Sequence, residues 1–61
     1  MMTQVDEKHL VVDRSTGFEV AGALSADLEA SQAMVKRRNA DGDEEQVTLY
    51  YPAGIAIVSR R

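Results

Sequence analysis

The sequence predicts a single small α+β domain of β-β-α-β-β order, an antiparallel sheet with one helix packed on one face. Three observations predict it. Short β-type runs are punctuated by turn formers at 9–13, 18–24, 46–51 and 55–59. Residues 26–38 hold no glycine or proline and a single β-branched residue, Val35. That window also carries acidic residues at its start and basic residues at its end, as a helix dipole favours.

Residues 1–7 read as a frayed or partly paired arm. His9-Leu10-Val11-Val12-Asp13 is the first strand, and Asp13-Arg14-Ser15-Thr16-Gly17 fits a hairpin loop whose glycine takes the left-handed position. The returning strand, 18–24, contains Gly22, a mark of a bulge or of the helix approaching closely. Ser25 is the N-cap candidate, Asp27 and Glu29 lie in the first helical turn, and Lys36, Arg37 and Arg38 lie in the last. Asn39 or Gly42 closes the helix, and residues 42–45 form an acidic loop. Gln46-Val47-Thr48-Leu49-Tyr50-Tyr51 is the clearest strand. Tyr51-Pro52-Ala53-Gly54 fits a type I turn into the last strand, 55–59.

The chain has 61 residues, no cysteine and one histidine. A domain this short buries only about 60% of the surface its unfolded form exposes. Disulfides, thiolate metal sites and multi-histidine sites are excluded, so self-association is the expected additional source of stability. The formal net charge of −3 argues against a general nucleic-acid binder. No apolar run is long enough for a membrane span, and the first residues are too polar for a signal peptide. The expectation is a cytoplasmic protein, neither secreted nor membrane-bound.

Two surfaces are more apolar than a lone domain needs. On a helical projection, Leu28 and Val35 fall on one side, while Ala26, Ala30, Ala33 and Met34 fall on the other. On the sheet, Leu10, Val12, Phe18, Val20, Leu24, Val47, Leu49, Tyr51, Ile55 and Ile57 form the expected helix-facing layer. The reverse face then carries His9, Val11, Ala21, Ala23, Thr48, Tyr50, Ala56 and Val58. Such a patch marks an interface. Val11, Ala21, Ala23, Tyr50, Ala56 and Val58 are therefore the candidate protein-contact residues, covered by a second copy or by a protein partner.

The chemistry-bearing candidates are few. Asp41-Gly42-Asp43-Glu44-Glu45 invites comparison with a calcium loop, but the positions that need glycine and glutamate hold Gln46 and Pro52. It reads as a solvated turn whose negative field suits a basic partner. His9 has no local nucleophile and reads as a strand-edge surface residue, although Asp13 or Glu19 lies within reach across the hairpin. No phosphate-cradling loop or nucleophile elbow is present, and so thin a core leaves little room for a substrate pocket. Neither an enzyme nor a cofactor is expected. Lys36, Arg37, Arg38, Arg60 and Arg61 supply the alternative reading, a nucleic-acid-binding accessory protein that contacts phosphates.

Val12, Asp13, Thr16, Gly17, Val20, Ala21, Ala30, Arg38 and Asn39 carry a resemblance. A strand ending in aspartate, a Thr-Gly turn, a short strand and an Ala/Arg-rich helix make this run similar to many small bacterial and phage proteins. It also resembles the DNA-binding arm domains of some phage and transposon integrases. The resemblance implies a three-stranded sheet with one helix and a phage or mobile-element setting. Those domains present basic and aromatic side chains on the sheet, where this chain has Glu19 and alanines.

Overall fold

The computed structural model describes residues 1–60, and they contain no helix. The fold is all-β. The strands are β1 (Thr3–Gln4), β2 (His9–Asp13), β3 (Ala23–Asp27), β4 (Gln32–Arg38), β5 (Glu44–Tyr50) and β6 (Ile55–Ser59). They form two antiparallel sheets, one in the order β1-β3-β4-β5 and one pairing β2 with β6.

The expected helix over 26–38 is instead the end of β3, a tight turn and all of β4. Asp27 explains both the expectation and the correction. Its Oδ1 accepts hydrogen bonds from the backbone N–H of Glu29 and of Ala30, each at 3.1 Å. An aspartate receiving the two or three following amides starts a helix, and the same contact closes an Asx-type turn. Here Ser31 takes a left-handed φ of 55° and the chain reverses. Ser25, the expected N-cap, is instead a buried strand residue opposite Met34.

The alanines are small because of packing, not helix propensity. Ala26 and Ala33 pair directly across β3 and β4, and both are fully buried. They share one core cluster with Val11, Val20, Val35 and Ile55. Long side chains at this pair would hold the two sheets apart. Along β4 the buried residues are Ala33 and Val35, a period of two. Tertiary packing has overridden the good helix formers of this window.

The turns behave as the sequence indicates. Gly17, at φ 77°, donates its N–H to the Asp13 carbonyl at 2.7 Å. The Gly54 N–H donates to the Tyr51 carbonyl at 2.8 Å, closing the turn through Pro52. The strand expected over 18–24 is mostly absent. Glu19 makes an isolated bridge to Val12, and the chain turns at Ala21-Gly22 before β3 begins. Gly22 is a point of close approach, but to β4. Its carbonyl accepts the Lys36 N–H at 2.9 Å. The β3–β4 register shifts immediately afterwards, between Ala23 and Ser25. The N-terminal arm is paired along Thr3–Gln4, and the Met1 amine meets Asp27 Oδ2 at 2.9 Å.

That amine and the two turn amides hold the Asp27 carboxyl below the usual range. A depressed carboxyl stabilises the fold above its unfolded pKa and loses that contribution as pH falls through its folded pKa. Acid titration of wild type should therefore show a loss of stability through the acidic carboxylate range that is smaller in Asp27→Asn. Asparagine keeps an oxygen for the turn but cannot ionise. Asp27→Ala, which loses the turn acceptor as well, should have a lower urea midpoint than Asp27→Asn at neutral pH.

Candidate functional site

Register fixes which side chains share a face. Val11 lies opposite Ile57, and Val11 is fully buried, so this pair points inward. Alternation then turns Leu10, Val12, Ala56 and Val58 outward, with Leu10 opposite Val58 and Val12 opposite Ala56. These residues form a continuous apolar strip on the outside of the β2–β6 sheet. Leu10, Val12 and Ala56 are half-buried, and Val58 is exposed. An ion pair borders the strip, with Arg60 Nη2 3.2 Å from Glu19 Oε2. Glu19 itself sits beside Val12 through the isolated bridge.

The candidate contact residues therefore divide. Ala56 and Val58 lie on the outer face of the β2–β6 sheet. Val11 does not: it is a core residue, and Ala23 packs against that core. Ala21 is exposed in the turn before β3, and Tyr50 is 64% exposed at the end of β5, in the other sheet. The single reverse face does not exist, because the strands belong to two sheets wrapped around one core. Leu10 and Val12, expected inside, belong to the outer face. Phe18 and Leu24, also expected inside, are exposed, Phe18 by 75% in the hairpin and Leu24 at the register shift.

The basic cluster has partners in its own sheet. β4 and β5 place Lys36 opposite Gln46, Arg37 opposite Glu45 and Arg38 opposite Glu44. Lys36 Nζ lies 2.8 Å from Glu44 Oε2, and Arg37 Nε lies 3.6 Å from Glu45 Oε1. The Arg38 Nη1 donates to the Gly42 carbonyl at 2.7 Å. The Glu44 contact holds the Lys36 ammonium above its ordinary pKa. The acidic loop thus meets the basic run that precedes it. A sequence signal existed: blocks of opposite charge lie symmetrically about the turn of residues 39–43, as cross-strand pairing of a hairpin requires. Arg61 lies outside the described residues.

His9 makes no hydrogen bond to Asp13 or Glu19, although Glu19 lines the same small hollow. Its Nδ1 is 2.8 Å from Asp6 Oδ1, and this contact, with the Lys8 amide, holds the Asp6 carboxyl below its usual range. Asp6 was not singled out from the sequence, since it falls in the arm before the first strand. His9, Asp6, Glu19 and Arg60 line one small open hollow. A larger open hollow, about 330 Å3, lies between Gly22, Leu24 and the basic end of β4. It reaches the volume of a small-ligand site, against expectation, but its charged wall is the Lys36, Arg37, Arg38 and Glu44 set already paired within the sheet.

Among the described residues no group of three or more His, Cys, Asp or Glu side chains is placed to hold a metal ion. No helix of the described chain is long and apolar enough to cross a membrane. No family model, no curated protein and no solved structure matches the chain.

Proposed function

We propose that the chain is a non-enzymatic protein-binding module that presents the outer face of the β2–β6 sheet to a partner protein. The observation that carries this reading is the in-register apolar strip of Leu10, Val12, Ala56 and Val58 on a solvent-facing sheet. An antiparallel sheet with one wet face ordinarily alternates apolar and polar side chains, and here the wet face is apolar too. The Glu19–Arg60 pair at its border is the polar rim such a surface needs.

The basic cluster favours this reading over nucleic-acid binding. A phosphate would have to displace Glu44 from Lys36 and Glu45 from Arg37. The two readings separate in one experiment, capture of binding partners by the tagged protein from its source cell. Val58→Asp should abolish capture without unfolding the domain, with little dependence on salt. Ala21→Asp, off the strip, should leave it intact. The reading is overturned if capture survives Val58→Asp but is lost when Lys36, Arg37 and Arg38 are changed to alanine and falls steeply with salt, as phosphate contacts require.

A further inference from the structure

β5 has an open edge. The Asn39 N–H donates to the Asp43 carbonyl at one end of the β4–β5 ladder, and the Tyr51 N–H donates to the Ser31 carbonyl at the other. In an antiparallel ladder, hydrogen-bonded and non-hydrogen-bonded pairs alternate. Between those two anchors the inward-bonding residues of β5 are therefore Glu45, Val47 and Leu49. Glu44, Gln46, Thr48 and Tyr50 direct their N–H and C=O groups away from β4. Among the described residues none of these groups has a backbone or side-chain partner, and β5 ends its sheet. The strand has no proline, no register shift and no lysine, and its only charged residues, Glu44 and Glu45, lie at one end and are paired with Lys36 and Arg37 of β4.

We infer that this edge pairs with β5 of a second copy about a two-fold axis at Val47, joining the two four-stranded sheets into one. Edge-facing groups must meet edge-facing groups, so a symmetric pair must join even-numbered residues. The register centred on Val47 uses the whole strand: Glu44 meets Tyr50 of the second copy, and Gln46 meets its Thr48. Its charge pattern is compatible with self-pairing. Every carboxylate faces an uncharged residue, Glu44 opposite tyrosine and Glu45 opposite leucine, and no like charges oppose each other. Gln46 and Thr48 supply a polar pair, and the exposed Tyr50 is covered. This contact is separate from the outer face of β2–β6 and stands or falls independently of it.

Light scattering on the intact protein at high micromolar concentration should give twice the 6.7 kDa chain mass. Gln46→Lys with Thr48→Lys sets lysines opposite each other on both sides of the axis and should give a folded monomer. Gln46→Lys with Thr48→Glu sets opposite charges there and should remain dimeric. The chain has no cysteine, so Val47→Cys gives a second readout. A non-hydrogen-bonded pair brings Cα atoms to about 4.5 Å, within disulfide range. Oxidation should therefore yield a covalent dimer. A monomeric wild type, a dimer indifferent to the paired lysines, or no covalent dimer from Val47→Cys would each overturn the inference.

Discussion

Gly22→Ala should lower the urea midpoint of this domain far below that of wild type. Gly22 adopts φ 76°, where an L side chain is strained by about 1–2 kcal/mol. The second effect is steric. A Cβ added at Gly22 would overlap the backbone carbonyl oxygen of Lys36, and Lys36 also donates its N–H to the Gly22 carbonyl. Backbone cannot rotate away as the end of a side chain can, so either β4 shifts or that hydrogen bond is lost. The combined destabilisation should be roughly 2–4 kcal/mol. A chain of this length has a total stability of about 3–9 kcal/mol. Gly17→Ala is the internal control. Gly17 has nearly the same φ, 77°, but an added Cβ meets nothing within 4 Å. Its cost should be limited to backbone strain, about 1–2 kcal/mol. Urea denaturation of the two variants measures the difference. Equal midpoints would mean that the Gly22–Lys36 approach is not a constraint on the fold.

The turns around Gly17 and Gly54 were legible in the sequence because their geometry is local. Gly17 follows Asp13-Arg14-Ser15-Thr16, and its N–H closes back on Asp13 within the same segment. The strands at 9–13 and 55–59 were legible as strands for a related reason, since each is a short apolar run bounded by turn formers. The segment 26–38 was not legible locally. Asp27 gives the same hydrogen-bond signal to a helix and to a tight turn, and alanine, methionine and arginine suit both a helix and a crowded strand. The decisive information is non-local: Ala33 pairs with Ala26 on one side and with Leu49 on the other. A helix with apolar stripes on opposite sides was itself a warning, because a helix on one sheet needs only one. The charge blocks of 36–38 and 44–45 were a second warning, since their symmetry about the 39–43 turn belongs to a hairpin. The candidate site was legible in part for the same physical reason. Ala56 and Val58 have neighbours whose size marks the inward side, Ile55 and Ile57. Leu10-Val11-Val12 has no such contrast, and its facing is set only by pairing with β6 and by the bridge to Glu19.

That facing gives the second large expected effect. Val11→Lys and Val12→Lys make the same chemical change at adjacent positions of one strand, and their outcomes should be opposite. Val11 is the largest fully buried side chain of the core, opposite Ile57 and in one buried cluster with Val20, Ala26, Ala33, Val35 and Ile55. An ammonium there would sit inside an apolar cluster, and burying a charge in such surroundings costs several kcal/mol even after the protein relaxes. That is comparable to the whole stability of so small a domain, so Val11→Lys should fail to fold. Val11→Ala, which only removes volume, should cost about 2 kcal/mol and remain folded. Val12 lies on the outer strip with Glu19 directly beside it. A lysine there keeps its head in water next to a carboxylate, and its midpoint should stay within about 1 kcal/mol of wild type. Circular dichroism and urea titration of the three variants decide the matter. If Val12→Lys unfolds and Val11→Lys does not, β2 faces the other way, and the outer strip of Leu10, Val12, Ala56 and Val58 is not the surface this domain offers to a partner. If the order holds, Val12→Lys becomes the most useful reagent for the proposed function, because it places a charge in the middle of that strip while the fold beneath it is unchanged.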